Sequence, residues 1–345
     1  MSFLYITEPG AYVKKKGPHI QVVKDEEILA DRTIADIKCL VMFGGAHVTS
    51  DAMLALLGNG CDVAFMTQNG QFKGRVVSAA GKNSILRACQ YGTFADPSKR
   101  LEMARRYVLA KIRNGIQVLD DYHHSGKSEF HFHERPNLEQ ICQHVETNCG
   151  DMPALFGYEG AAAREYFGAF GRLFTHGRAF PGRKFHPSTD PVNALLSFGY
   201  TMVSRELQAI LDALGLDPFI GFFHEVSYGR ASLTHDLMEE FRHPFVDRFV
   251  VRLFNKQMIT DEDFETQEDG QVFLKKDSLK LFIRHYEEWA NKVNRTWGDS
   301  GELSWRQEMW QQGEKLRHAL ENNSEYLPFS WKEHSDTDRQ HGIEP

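Results

Sequence analysis

A histidine and two carboxylates lie close together in the segment 221–242, GFFHEVSYGRASLTHDLMEEFR. His224 ends an apolar run, a glycine-containing loop follows, and Ser232 is placed to cap a helix. Asp236 and Glu239 are three residues apart, so this helix would present both on one face. The three side chains could therefore converge at the start of a helix. The ordinary interpretation is also open, because acids on such helices usually face water and a histidine of this kind is usually a core residue.

A third carboxylate, Glu159, lies in FGYEGAAAREYFGAF, within a helix predicted over residues 152–175. The surrounding residues are almost all apolar, aromatic or small, and burying a carboxylate among them is costly unless it is paired or metal-bound. Arg164 lies about 140° further round the helix, which is a poor position for an ion pair. The partner of Glu159 should come from outside the helix, as a base or a metal ion, and a structural salt bridge is as consistent as a ligand.

A metal ion shared by Glu159, His224 and Glu239 would have two oxygen ligands and one imidazole. This set is poor for structural zinc and better for Mn²⁺ or Mg²⁺ that keeps several waters. Open water positions favour catalysis, because the ion could polarise a phosphoryl oxygen and activate a water or a DNA 3′-hydroxyl. Asp236 would complete the catalytic group as an outer or alternate ligand.

The formal net charge is −7, so any DNA-binding surface must be a local patch of cations. Three candidates precede a helix start at Asp190, and three recur at four-residue spacing after the carboxylate helix. Solvated surface is the default interpretation for both sets. Together with one arginine of the Glu159 helix, the candidates are Arg164, Arg178, Arg183, Lys184, Arg248, Arg252 and Lys256.

The elements that position these residues fall into two parts. Strands are predicted at FLYIT, HIQVV, EEILA, IKCLVMFG, DVAFMT and QFKGRVV, the last two flanking an Asn69-Gly70 hairpin turn. One short helix, DAMLALLGN, would be capped by Ser50. These features predict an N-terminal β-rich domain over residues 1–80 that serves dimerisation or a partner.

After about Ser78 the periodicity becomes helical, and Asp96-Pro97 begins the first predicted helix. A hairpin is predicted at Asp269-Gly270. The fold class is therefore α+β, with a larger, mainly α-helical catalytic domain over residues 81–331 and a polar tail over 332–345. Further helices are predicted at 137–147, 152–175, 190–214, 232–256, 276–293 and 302–322.

The five cysteines are scattered and never form a CxxC pair, which favours reduced, mostly buried thiols. No window approaches the length of an apolar membrane span, and the start, MSFLYITEPG, lacks the features of a signal peptide. A cytoplasmic protein without a membrane partner is expected.

The motifs EGAAAREYF, DPVNALLSFGYTMV and GFFHEVSYGRASLTHDLMEEFR together resemble the CRISPR-associated integrase family Cas1, and the resemblance runs from LYITEPGAYV to YLPFSWK. It implies a small β domain, a larger helical domain and a homodimer. The metal ligands of the family fall on Glu159, His224 and Glu239, and Asp236 matches a nearby acidic position. The segments MITDEDF and YLPFSWK are most similar to members from type I-C systems.

The resemblance implies a function in CRISPR adaptation: metal-dependent strand transfer and endonuclease activity that insert DNA fragments into the repeat array. It also implies a heterohexamer of two integrase dimers bridged by a dimer of the small protein Cas2. Double-stranded fragments and the CRISPR repeat would be the DNA partners. A non-catalytic DNA-binding scaffold of the same fold is the alternative, and a general nuclease unrelated to arrays is a third.

Overall fold

A computed structural model of the protein describes residues 2–68, 72–77, 84–124, 131–184, 187–294 and 303–331. The predicted α+β order, β-rich first and mainly helical afterwards, is confirmed. The chain divides into two compact units, one of Met1–Lys82 with Phe273–Ile283 and one of Asn83–Val272 with Arg284–Pro345. The predicted domain boundary and the polar tail lie outside the described residues.

The N-terminal unit contains two four-stranded sheets and one helix. Strands β1, β5, β7 and β8 are adjacent in that order, with only the last pair antiparallel, and the second sheet has the order β4-β3-β2-β6. Buried aliphatic side chains, among them Ile20, Ile37 and Val63, form the core. The bounds are β1 Ser2–Ile6, β2 Tyr12–Lys16, β3 His19–Lys24, β4 Glu27–Thr33, β5 Ile37–Phe43, β6 His47–Val48, α1 Ser50–Gly58, β7 Asp62–Met66 and β8 Phe72–Val76.

Most of the predicted strands are present, but two details of this unit differ from the sequence prediction. Strand β2, YVKKK, was not predicted, because only Val13 of its five residues is buried and the apolar alternation is lost. The helix α1 is capped by Thr49, whose hydroxyl accepts from the Ala52 N–H at 3.3 Å, so the predicted Ser50 cap is wrong. The predicted Asn69-Gly70 turn lies outside the described residues.

A segment from late in the chain, Phe273–Ile283, belongs to the N-terminal unit. The Lys280 ammonium contacts the Glu8 carboxylate, whose other oxygen lies 3.5 Å from the Lys24 Nζ. Hydrogen bonding to Lys280 holds the pKa of Glu8 below its usual value. Leu279 and Phe282 of the segment are buried. Residues that are about 200 positions apart therefore complete one unit.

The second unit is built mainly of helices, and none within the described residues is long and apolar enough to cross a membrane. Its elements are α2 Ser84–Ala95, α3 Pro97–His124, α4 Arg135–Thr147, α5 Met152–Phe170, α6 Pro191–Leu214, α7 Ser232–Phe241, α8 Arg248–Asn255, β9 Phe264–Thr266, β10 Val272–Leu274, α9 Lys276–Ala290, β11 Val293–Asn294, β12 Leu303–Ser304 and α10 Trp305–Asn322. All five cysteines are free and four are buried, as predicted.

The helix predictions are confirmed in position more often than in their ends. The start at Pro97 and the turn at Gly270, which has φ 81°, are confirmed. Helix α2 was not predicted, because it buries only Leu86 and Gln90 and has little apolar periodicity. Helix α5 ends at Phe170 rather than at residue 175, and a single 3₁₀ turn follows it.

The predicted helix over residues 232–256 is interrupted by a π-helical segment, Arg242–Asp247. Pro244 has no N–H to donate to the carbonyl of Glu240, and this carbonyl accepts instead from the Asn114 side-chain amide at 2.9 Å. Ser232 is the first helical residue rather than the cap, and its hydroxyl donates to the Glu225 carbonyl at 2.8 Å. The predicted Ser232 cap is therefore wrong.

Candidate metal centre

The carboxylates of Glu159 on α5 and Glu239 on α7 face each other across the side chain of Lys111, on α3. The Lys111 Nζ lies 2.5 Å from the Glu159 Oε1 and 2.8 Å from the Glu239 Oε2. The Lys111 side chain is only 6% exposed and that of Glu239 only 2%. The partner of Glu159 that was expected from outside its helix is thus a basic side chain.

Glu239 also pairs with the first residue of the π-helical segment. The Nη1 of Arg242 donates to the Glu239 Oε1 at 2.9 Å and to its Oε2 at 3.2 Å. Burial by itself raises the pKa of Glu239, but Arg242, Lys111 and His224 together hold it well below the usual value. The carboxylate of Glu239 is therefore ionised at neutral pH even though it is buried.

The imidazole of His224 reaches the same place from the loop before α7. Its Nδ1 lies 2.8 Å from the Asp236 Oδ1, and its Nε2 lies 3.7 Å from the Glu239 Oε1. A carboxylate accepts hydrogen bonds and does not donate them, so Nδ1 carries the proton and Nε2 keeps its lone pair. This carboxylate–histidine pair is the arrangement that orients imidazole ligands of metal ions.

Asp236 is fully buried and points toward the loop of His224. Its carboxylate accepts the backbone N–H groups of Phe222, Phe223 and His224 at 2.5, 3.0 and 2.9 Å. A Cβ at Gly221 would lie 2.7 Å from the Asp236 Oδ2, so only glycine allows this approach. Asp236 therefore fixes the loop and the ring of His224.

The four candidate catalytic residues converge, and a fifth charged group stands among them. Two carboxylates and an oriented imidazole are chemically suited to a hard divalent cation. Among the described residues, no three histidine, cysteine, aspartate or glutamate side chains already stand where they could hold one ion. The space between Glu159 and Glu239 is taken by the Lys111 ammonium. The residues fit a metal ion once this ammonium moves.

A buried polar network supports the π-helical segment beside the site. The carboxylate of Asp247 accepts from the Tyr166 hydroxyl at 2.9 Å, lies 2.7 Å from the His243 Nδ1, and also accepts from the Tyr200 hydroxyl. The guanidinium of Arg242 lies over the Tyr200 ring, 4.5 Å from its centroid. The network holds the position from which Arg242 reaches Glu239.

A cleft of about 730 Å³ opens beside Lys111 and Glu159. Its other walls include two phenylalanine rings, those of Phe167 and Phe180, and the side chain of Arg242. The remaining basic lining residues are Arg164, Arg172 and Arg183. Such a cleft concentrates positive charge next to the candidate ligands in a protein whose net charge is negative.

The basic residues of the loop before α6 are partly committed within the protein. The Arg183 guanidinium donates to the Asn193 Oδ1 at 2.8 Å and to the Ser197 Oγ at 3.1 Å, and burial lowers the pKa of Arg183. Arg178 pairs with Asp261 at 2.8 Å and lies over an aromatic ring. Lys184 is exposed, and so is Arg164 on α5.

The residues of the predicted basic stripe differ in their surroundings. The guanidinium of Arg248 lies 4.3 Å from the centroid of the Trp331 ring, and that of Arg252 lies 5.9 Å from the centroid of Trp289. Lys256 is exposed just after the end of α8. Stacked arginines still present N–H donors, so the stripe stays a candidate DNA contact.

Sequence reasoning missed Lys111 and Arg242. A signal for Lys111 was present, because it lies on the face of α3 that carries Ala104, Val108 and Gly115 at helical spacing. A lysine on such a face needs a carboxylate partner when it is buried. Arg242 follows Glu239 by three residues, but sequence alone did not show that it points toward the site.

Comparison with known proteins gives a consistent result. A family model described as CRISPR associated protein Cas1 matches residues 4–288. A protein of Thermus thermophilus named "CRISPR-associated endonuclease Cas1 3" is 33% identical over 330 residues, which are 95% of this chain and 96% of that protein.

Two solved structures are similar in fold. The first is titled "Casposase bound to integration product", with a TM-score of 0.84 and 23% identity over 96% of this chain and 94% of that chain. The second, titled "Cas6-RT-Cas1--Cas2 complex", has a TM-score of 0.80 and 24% identity and covers 96% of this chain and 36% of that chain.

Proposed function

Because the chain belongs to the Cas1 family of CRISPR-associated proteins, we propose that it is a DNA integrase and endonuclease of CRISPR adaptation. It would insert captured DNA fragments into the repeat array by metal-dependent phosphoryl transfer. The relative of known name is an endonuclease, and a structure of similar fold holds an integration product. Both support a reaction at DNA phosphodiesters.

The observation that carries the proposal is the convergence of Glu159, His224 and Glu239 from three separate parts of the helical unit. We propose these three as ligands of one Mn²⁺ or Mg²⁺ ion. When bound, the ion would supply Lewis-acid polarisation of a phosphoryl oxygen and activation of a water or a DNA 3′-hydroxyl. Buried carboxylates and a buried base at one point have no simpler structural role that would also require the oriented imidazole.

The other residues of the site would orient the ligands. Asp236 holds the His224 ring with Nε2 turned toward Glu239. Arg242 keeps the Glu239 carboxylate ionised and fixed. The described part of the site offers no serine, tyrosine or cysteine as a nucleophile, which favours direct transfer to a hydroxyl over a covalent protein intermediate.

The DNA strand would enter by the cleft beside Glu159. Phosphates would meet the exposed guanidinium of Arg164, and Arg183 would support the wall from behind through its bonds to α6. Lys184, Arg248, Arg252 and Lys256 are proposed as contacts with flanking duplex, and Arg178 as a support of the loop that carries Lys184.

The proposed assembly is a homodimer that joins Cas2 in a heterohexamer. A structure of similar fold contains Cas1 and Cas2 in one complex, which supports such a partner here. Insertion of a fragment at both ends needs two active sites held at a fixed separation. The sequence similarity of MITDEDF and YLPFSWK to type I-C members supports that subtype, and access to a chromosomal array supports a cytoplasmic location.

Metal dependence distinguishes the integrase from a non-catalytic scaffold. The assay uses a labelled fragment and a plasmid with repeats, supplied with Mn²⁺ or with chelator, and scores strand transfer and DNA binding separately. An integrase loses strand transfer on chelation and in Glu159→Gln, whereas a scaffold binds DNA equally in all cases and transfers none. Equal cleavage of plasmids with and without repeats would favour a general nuclease.

A further inference from the structure

We propose that Lys111 is a built-in counter-ion that occupies the metal position and must be displaced when the divalent cation binds. The proposal rests on the proposed function, because it takes Glu159 and Glu239 as ligands of that ion. It assigns to Lys111 a role in setting the metal affinity, beyond that of an ordinary salt bridge.

The geometry of the Lys111 ammonium is that of a cation shared by two ligands. It contacts one oxygen of each carboxylate, at 2.5 Å for Glu159 and 2.8 Å for Glu239. A divalent ion needs oxygens at about 2.0–2.2 Å and its own shell of waters. The ion and the ammonium therefore cannot both lie between these two carboxylates.

Charge balance gives the ammonium a clear effect in the absence of metal. Glu239 already has a second cation, Arg242, at 2.9 Å, whereas the described contacts of Glu159 include only Lys111 as an ion-pair partner. The two carboxylates are thus neutralised by two cations before any metal arrives. An incoming ion must compete with a bound positive charge at short range, which weakens its apparent affinity.

The displaced side chain has a place to go. The cleft of about 730 Å³ is lined by Lys111 and Glu159 together, so a rotation of the lysine chain would move its ammonium from between the carboxylates into the cleft. There it would meet the phosphates of a bound strand, which are strong acceptors for an ammonium. Displacement by metal would thus place a cation where DNA is proposed to lie.

The test is the affinity for Mn²⁺ alone, without DNA, in the wild-type protein and in Lys111→Met. Electron paramagnetic resonance counts free Mn²⁺ directly. We expect Lys111→Met to bind Mn²⁺ about tenfold or more tightly, because the competing unit charge is gone. In chelator it should melt at a lower temperature, since the two carboxylates then repel each other. Lys99→Met is the matched control, because Lys99 is an exposed lysine of the same helix and should leave both values unchanged.

The outcomes separate this proposal from the proposed function. If the wild type binds Mn²⁺ and Lys111→Met binds it equally or more weakly, the counter-ion role is overturned and the metal site stands. If neither protein binds Mn²⁺, the proposed metal site itself fails. Should Lys111→Met not fold, a crystal structure of the wild type with Mn²⁺ decides. We expect its Nζ to have left at least one carboxylate, and an ammonium that still bridges both would overturn the proposal.

Discussion

Glu239 and Glu240 are consecutive residues, yet their carboxylates have different partners and different protonation states. Glu239 lies among cations, which hold its pKa low. Burial raises the pKa of Glu240 to about 8, and its oxygens lie 2.5 Å from the Tyr326 hydroxyl and 2.7 Å from the Phe329 N–H. One glutamate is therefore a charged candidate ligand and the other a neutral hydrogen-bonding group.

This pair provides a matched test of the site. Glu239→Gln should abolish strand transfer, because it removes a charged candidate ligand. Glu240→Gln should retain near-normal transfer, because an amide resembles a protonated carboxyl in shape and in hydrogen bonding. Both variants are assayed with the labelled fragment and Mn²⁺. Normal transfer by Glu239→Gln would show that the site assignment is wrong.

The stability of the protein should also report the protonation of Glu240. The folded protein keeps this proton up to about pH 8, whereas the unfolded chain loses it near the ordinary value of 4.5. This carboxyl therefore contributes stability below pH 4.5 that is lost as the pH rises toward 8. Urea unfolding from pH 5 to 8 should show Glu240→Gln becoming progressively more stable relative to the wild type. A constant difference would contradict the neutral carboxyl.

Asp236 offers a residue-scale test of how the imidazole is positioned. Two oxygens of this carboxylate receive four hydrogen bonds, from three backbone N–H groups and the His224 Nδ1. An amide has only one acceptor oxygen, so Asp236→Asn should weaken Mn²⁺ binding about 10–100-fold. Titration of Mn²⁺ measures this, and circular dichroism checks that the helices are retained. Unchanged affinity would mean that the orientation of His224 does not matter for the metal.

The sequence alone located the candidate ligands but not what surrounds them. His224, Asp236 and Glu239 share one short segment, so helical spacing was enough to bring the last two together. The base that pairs with Glu159 comes from a helix about 50 residues earlier. Pairing between distant helices depends on packing that periodicity does not encode, and for this reason Lys111 was found only in the structure.

Among the elements, the joint between α7 and α8 has the clearest physical cause. Pro244 leaves the Glu240 carbonyl without a helical donor, and the Asn114 amide supplies one. The same amide donates to the Phe329 carbonyl at 3.0 Å, and its oxygen accepts from the Trp331 N–H at 2.8 Å. One side chain of α3 therefore holds both the π-helical joint and the C-terminal segment.

Loss of this side chain should be costly. Asn114→Ala leaves two buried carbonyls and one N–H without their partner, and we expect a loss of about 3 kcal/mol in the free energy of unfolding. Asn137→Ala is the control, because Asn137 is exposed and bonds only Glu165 among its described contacts. Its effect should stay within about 0.5 kcal/mol. Equal effects of the two variants in urea unfolding would contradict this role of Asn114.

Element positions were predictable where apolar periodicity is strong, as in α6, which begins at Pro191 after an Asp190 cap. The prediction failed where burial is one-sided or slight, as in β2 and α2. The π-helical segment needed knowledge of the Asn114 amide, which no local pattern contains.

For the whole molecule, the negative net charge makes the distribution of cations decisive. DNA binding should weaken steeply as salt is raised, because release of counter-ions from a few phosphates drives it. Replacing Arg248, Arg252 and Lys256 by glutamine should lower the slope of log affinity against log salt by up to about three. Arg317→Gln, in an exposed pair with Glu321, should not change it. An unchanged slope in the triple variant would mean that the stripe is solvated surface.

The presence of Phe273–Ile283 in the N-terminal unit has a consequence for how the protein is made. On the ribosome the first 82 residues emerge early, but the segment that contributes Lys280 and Phe282 follows only after about 200 more. At typical rates of synthesis of about 5–20 residues per second, the nascent unit waits for roughly 10–40 s. During that interval its apolar strands are incompletely covered, so the newborn chain depends on slow aggregation or on chaperones until the later segment arrives.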